Sequence, residues 1–146
     1  ADLGRGDPKP IADWDEASQL GCLAPGVLES LGTMGFPSPT LAQRYALPVI
    51  SSQSFDLIME APAGTGKTLA YVLPLVSRLL AAAPPNRPHS PGPTAQACPL
   101  LLFFAPTREV AVQTGARIRE VIRAGHGTGS VLVLYSGEAL TVQMKP

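Results

Sequence analysis

Acidic and basic residues cancel in this chain, 11 against 11. No bulk field therefore draws it to nucleic acid or to an anionic membrane, and any contact with a polyanion must be local. Cysteine is scarce: Cys22 and Cys98 lie far apart, without the spacing of a metal site. With no secretory leader, they read as reduced, buried thiols of an intracellular protein of the cytoplasm or nucleus. No apolar stretch is long enough to span a bilayer, so no membrane partner is expected. What is present is 146 residues of 45% apolar composition, enough for one globular domain with a real core and too little for two of ordinary size. The chain opens on Ala1 and closes on Lys145-Pro146, just after the start of a helix, and reads as a fragment at both ends.

Residues 1–10, rich in Gly, Asp and Pro, form a flexible lead to organised sequence that starts near Ile11. A short helix follows Pro25, with Leu20, Leu23, Val27, Leu28 and Leu31 as its apolar positions. A second covers Pro39 to Ile50, capped by Thr40, with Leu41, Tyr45, Leu47 and Ile50 facing inward and Pro48 bending or ending it. Phe55 to Met59 has the pattern of a first strand. The helix from Lys67 to about Ala82 is interrupted at Pro74. Six prolines between Pro84 and Pro99 mark an extended connector, with His89 in solvent. Leu100 to Ala105 reads as a strand covered on both faces. A helix capped by Thr107, with Val110, Val112, Ile118, Val121 and Ile122 on its apolar side, ends near Gly125. Val131 to Leu134 is a third strand, closed by Tyr135-Ser136-Gly137. Strand and helix in alternation predict a doubly wound α/β plan, a parallel sheet with flanking helices.

Between the first strand and its helix stands Ala61-Pro62-Ala63-Gly64-Thr65-Gly66-Lys67-Thr68. A strand that turns through small residues straight into a helix aims backbone N–H groups at one spot, where the helix dipole also favours negative charge. Gly64 and Gly66 let the chain pass close to phosphate oxygens. Lys67 can reach the β- and γ-phosphates, and the Thr68 hydroxyl is placed to hold Mg²⁺. The generic pattern opens with Gly where this chain has Ala61. The bland alternative is a Gly-rich turn carrying a surface lysine.

Three more segments stand in order around this loop: Gly35-Phe36-Pro37-Ser38-Pro39-Thr40-Leu41-Ala42-Gln43, Pro106-Thr107-Arg108-Glu109-Val110-Ala111-Val112-Gln113, and Tyr135-Ser136-Gly137. Together with residues 61–68 they resemble a DEAD-box ATP-dependent RNA helicase, over the amino-terminal part of its first RecA-like domain. The resemblance runs from about Pro10 to Gln143. It implies a P-loop NTPase fold of RecA type, truncated, with residues 11–146 forming part of the ATP-binding domain. Residues 35–43 resemble the Q motif, in which Gln43 would bond the adenine edge and Phe36 stack near the base; an exposed helix glutamine and a core aromatic are the alternatives. An amide offers the donor and acceptor that adenine requires. Leu41 and Ala42 depart from the family's usual residues there, and Ala63 replaces a usual Thr. Residues 106–113 resemble motif Ia, which implies that Pro106, Thr107 and Arg108 hold RNA phosphates at a helix start. Thr107 as an ordinary cap and Arg108 as a solvent-facing side chain are the alternatives. Ser136-Gly137 stands where the family has two glycines against the RNA backbone, implying a contact by Gly137. Pro10-Ile11-Ala12-Asp13-Trp14 is similar to the entry segment of the Vasa-like branch, with Trp14 either supporting the adenine pocket or anchoring the packing.

The resemblance implies ATP, Mg²⁺ and RNA as ligands, with Lys67 and Thr68 as the catalytic-site residues that this chain supplies. Hydrolysis also needs carboxylates that hold Mg²⁺ and orient water. The family's Asp-Glu-Ala-Asp segment is not in these 146 residues, nor is the second RecA-like domain, and the acids after the loop are only Glu109, Glu120 and Glu138. The chain alone is therefore expected not to turn over ATP and to leave apolar strand faces uncovered. Two other classes stay open: a P-loop kinase or ATPase that does not act on RNA, and a nucleotide-binding fragment or degenerate paralogue without catalysis.

Overall fold

The computed structural model describes residues 8–81, 99–127 and 129–143. Most of the lead, and the connector up to residue 98 with His89 and Cys98, lie outside the described residues. Among the described residues there are six helices: α1 (Trp14–Gln19), α2 (Pro25–Thr33), α3 (Leu41–Ser52), α4 (Lys67–Ala81), α5 (Arg108–Ala124) and α6 (Leu140–Gln143). Asp13 caps α1 by accepting the Glu16 N–H at 2.8 Å, and Pro25 opens α2 where its missing N–H costs nothing. Leu69, Val72, Leu73 and Val76 recur at helical spacing on α4 and are buried. They make α4 the centre of the core: α3 and α5 pack against it, and α2 packs on α5. Ile11, Trp14, Leu23, Val27 and Leu31 close the core from the amino-terminal side.

Both interior prolines lie inside helices that continue past them. Pro48 does not end α3, which runs on to Ser52, and α4 is one helix through Pro74. Both rings are buried in apolar surroundings, and that burial offsets the lost ladder bond. The inner face of α3 is also turned from the expected one. Gln43, Ala46, Leu47 and Pro48 are buried, whereas Leu41 is 69% and Tyr45 58% exposed. The reason is the cap. Thr40 and Gln43 form a reciprocal capping box, which draws Gln43 inward and sets the 43, 46, 47 row against the core. On α5, Val110 and Val112 likewise face outward, and Thr114 and Gly115 join Ile118, Val121 and Ile122 inside.

The three expected strands are a further correction: among the described residues, none is assigned to a strand. The segments 101–105 and 131–135 keep the strand period of two, alternating half-buried with exposed residues. Leu100 to Ala105 is thus covered on one side and not on both. A ladder needs a second backbone alongside, and in 131–135 side chains bond the backbone instead. Arg119 donates to the Val131 carbonyl at 2.8 Å, and the Gln143 amide bonds both the N–H and the carbonyl of Tyr135 at 2.9 Å.

Candidate nucleotide and RNA site

The turn before α4 is held by its carbonyl groups. Gly64 and Gly66 adopt φ of +80° and +82°, which side chains resist. The Lys67 ammonium donates to the Ala61 carbonyl, and to that of Pro62 at 2.7 Å. The Thr65 hydroxyl also donates to the Pro62 carbonyl, at 2.9 Å. From α3, the Thr40 hydroxyl donates to the Thr65 carbonyl at 2.7 Å, and Gln43 Nε2 donates to the Gly66 carbonyl at 3.2 Å. In a trans peptide the N–H points opposite to the carbonyl. With the carbonyls of Thr65 and Gly66 drawn to α3, the N–H groups of Gly66 and Lys67 are directed away from it.

Gln43 is only 3% exposed. Its Oε1 accepts the Thr40 N–H at 2.9 Å, and its own N–H donates to Thr40 Oγ1 at 3.4 Å. Each amide atom therefore has one partner within the protein and capacity for one more. Phe36 lies in the turn after α2, half-buried against the core, with its carbonyl accepting the Trp14 Nε1–H at 2.9 Å. Trp14 is thus an anchor for the Phe36 turn. Thr68 is half-buried. A cleft of about 540 Å³ borders Thr40, Tyr45, Ile58, Ala61, Pro62 and Thr65, and another of about 660 Å³ borders Asp56, Lys67, Thr68 and Tyr71. Among the described residues, no three His, Cys, Asp or Glu side chains cluster as a metal site, and no helix is long and apolar enough to cross a membrane.

The second set of expected residues lies at the start of α5 and in the turn after residue 135. Thr107 caps α5, its hydroxyl accepting the Val110 N–H at 3.3 Å. Pro106, Thr107 and Arg108 are exposed. The Arg108 guanidinium lies 4.3 Å from the centre of the Tyr135 ring, which adjoins the turn containing Gly137 (φ +94°). Tyr135 in turn donates its hydroxyl to Glu138 at 2.7 Å, and this bond holds the phenol pKa above its usual value. Glu109 is held below the usual carboxylate range, first by its own backbone N–H and then by the Thr107 hydroxyl.

Sequence reasoning missed the clasp of Thr40 and Gln43 on the loop, although Thr-x-x-Gln before an apolar row is a readable capping-box signal. It also missed Tyr135 as the platform for Arg108 and Gln143 as a backbone partner, because neither pairing has a local spacing to reveal it.

Residues 40–145 match the DEAD/DEAH box helicase family. The DEAD-box ATP-dependent RNA helicase 52A of Oryza sativa subsp. japonica is 38% identical over 143 residues, covering 95% of this chain and 23% of that protein. The pre-mRNA-splicing ATP-dependent RNA helicase PRP28 of Pyricularia oryzae is 35% identical over 141 residues, covering 96% of this chain and 19% of that one. Among solved structures, the RNA helicase Prp28 from Chaetomium thermophilum bound to ADP superposes with a TM-score of 0.69 at 30% identity, covering 92% of this chain and 29% of that chain. The yeast DEAD-box splicing factor Prp28 gives 0.69 at 28%, covering 96% and 31%. The chain thus spans about a fifth to a quarter of the length of these curated relatives, and the structural likeness supports an α/β fold of RecA type. Since the match takes in the phosphate loop, Arg108 and the Gly137 turn together, the chain belongs to the DEAD/DEAH box helicase family.

Proposed function

We propose that this chain is the ATP-binding and RNA-gripping part of an ATP-dependent RNA helicase. The observation that carries the nucleotide half is the bond from Gln43 to the Gly66 carbonyl, which joins the purine-reading segment to the phosphate loop. Residues 61–68 would cradle the phosphates, with the Gly66 and Lys67 N–H groups as donors. Lys67 would exchange the Ala61 and Pro62 carbonyls for the β- and γ-phosphates. Thr68, beside Lys67 at the same cleft, would hold Mg²⁺. Gln43 has one N–H and one lone pair left for adenine, and Phe36 would stack near the base. When bound, Mg²⁺ and ATP supply the phosphoryl chemistry that drives unwinding. The carboxylates which that chemistry requires are outside these 146 residues, so this segment binds and positions.

For RNA, Pro106, Thr107, Arg108 and Gly137 would grip the backbone. A cation in the first turn of a helix opposes the dipole, a cost of about 0.3–1 kcal/mol, yet it also concentrates positive potential where a phosphate would sit. The Tyr135 ring steadies Arg108 in that place. In the parent protein, closure of a second RecA-like domain over ATP and RNA would bend one strand out of its duplex. With this reading go residues 11–146 as part of one RecA-like domain with a parallel sheet, in a protein of the cytoplasm or nucleus. Pro10 to Trp14 favours the Vasa-like branch.

Titration with fluorescent mant-ADP and mant-GDP tests this. ADP should bind preferentially, Lys67→Ala should abolish binding, and Gln43→Ala should equalise the two nucleotides. Equal affinity in the unaltered chain would remove the adenine assignment. With the missing domains appended, ATP turnover that RNA does not stimulate would remove the helicase reading.

A further inference from the structure

Pro48 has no N–H, so the Arg44 carbonyl loses the partner it would have four residues on in α3. That carbonyl instead accepts the Ile11 N–H at 3.0 Å. Arg44 then returns the bond: its Nε donates to the Ile11 carbonyl at 2.6 Å. The Ile11 side chain is fully buried, so this reciprocal pair is fixed at its other end by the core. Three residues along, Trp14 donates to the Phe36 carbonyl at 2.9 Å. The short stretch from Ile11 to Trp14 therefore ties the helix turn that carries Gln43 to the turn that carries Phe36. Arg44 is the residue next to Gln43, and its N–H donates to the Thr40 carbonyl at 2.9 Å in the same capped turn.

We infer that Arg44, through the carbonyl that Pro48 leaves free, is a positioning residue for purine selectivity: it clamps Ile11 and so holds Gln43 and Phe36 at a fixed separation. The inference rests on the adenine reading above and adds a residue pair and a strap to it. Neither Arg44 nor Pro48 need touch the nucleotide. The clamp is separable from helix stability because restoring an N–H at position 48 strengthens α3 while offering the Arg44 carbonyl a competing donor.

The test uses the 146-residue chain with Arg44→Ala, Arg44→Lys and Pro48→Ala. Three quantities are read: the affinity ratio for mant-ADP over mant-GDP, the exchange rate of the Ile11 amide, and the thermal midpoint. Pro48→Ala should speed Ile11 exchange and lower the ADP:GDP ratio about 3- to 10-fold, roughly one hydrogen bond's worth, with the midpoint held or raised. Arg44→Ala should change the ratio in the same direction, and Arg44→Lys should recover part of it, while GDP affinity stays within about twofold in all three. A merely structural role predicts that the ratio follows the midpoint, and that outcome would overturn the inference. So would an ADP preference that survives both alanine variants, which leaves the adenine reading standing. An unaltered chain without ADP preference sinks the adenine reading, and this inference with it.

Discussion

Gln43 Nε2 and the Gly66 carbonyl lie 3.2 Å apart, so a single side chain couples the first turn of α3 to the last residue before α4. The space for that amide exists because residue 66 has no Cβ. A Cβ built there would stand 2.5 Å from Gln43 Nε2 and 3.2 Å from Thr40 Oγ1, on a backbone with φ of +82°. Gly66→Ala should therefore lose both the clasp and the loop geometry, at a cost of about 2–4 kcal/mol by the left-handed penalty and the displaced bonds. Gly64→Ala meets nothing within 4 Å and should cost only about 1–2 kcal/mol. Urea unfolding of the two variants measures the difference; equal losses would mean that the clasp contributes nothing.

A second close approach fixes α5 against residues 131–135. A Cβ on Gly115 would lie 2.3 Å from Val133 Cγ2. Gly115→Ala gains helix propensity of about 1 kcal/mol but overpacks a buried contact, which costs about 1–3 kcal/mol. The net should be destabilising, and Val133→Ala in the same chain should recover most of it. A double-mutant cycle on thermal midpoints shows the coupling; additive effects would place the two residues out of contact.

How far the sequence could be read is clear from which interactions are local. Thr40 as a cap, Thr107 as a cap, the end of α5 near Gly125 and the positive φ of Gly64 and Gly66 each follow from a few adjacent residues. The face of α3 did not, because Leu41 and Tyr45 have the right spacing and the wrong rotation, and the angle is set by the capping box that turns Gln43 inward together with its contact to the loop 23 residues away. Pro48 read as a bend or an end of α3, and its consequence, the Ile11 N–H bond to the Arg44 carbonyl, lies 33 residues upstream of Arg44 and leaves no local mark. The apolar runs at 101–105 and 131–135 show alternation in burial, but pairing depends on neighbours that no single run encodes.

Tyr135 gives a pH signature for the turn beside Arg108. Its hydroxyl donates to Glu138, and that bond, with the repulsion a tyrosinate would meet there, raises its pKa above 10.0, while Arg108 pulls it down. The folded value exceeds the unfolded one, so the stabilisation is complete below pH 10.0 and fades as pH rises through the elevated value. Glu138→Gln should move the phenol titration down and Arg108→Ala should move it up. Carbon-13 tyrosine NMR between about pH 8 and about pH 12 separates Tyr135 from the chain's other tyrosines. Shifts of the same sign in both variants would contradict the arrangement of ring, carboxylate and guanidinium.

Large apolar side chains stand in water on the outer row of segments 101–105 and 131–135, and at Ile58 before the phosphate loop. Phe104 is 90% and Ile58 98% exposed, and Leu102, Leu132 and Leu134 are more than half exposed. Each exposed side chain forgoes about 1.5–3 kcal/mol of available burial, which is a drive to associate through any apolar face that can cover it. The inward residues of the same segments already pack against helices, since Phe103 and Val131 join the core. Solubility and folding should therefore separate. Phe104→Lys and Ile58→Lys should each change the urea midpoint by no more than about 0.5 kcal/mol equivalent, and together reduce concentration-dependent light scattering several-fold. If scattering is unchanged while stability falls, those side chains are buried in solution, and the outer row is already covered by another part of the molecule or by another copy of it.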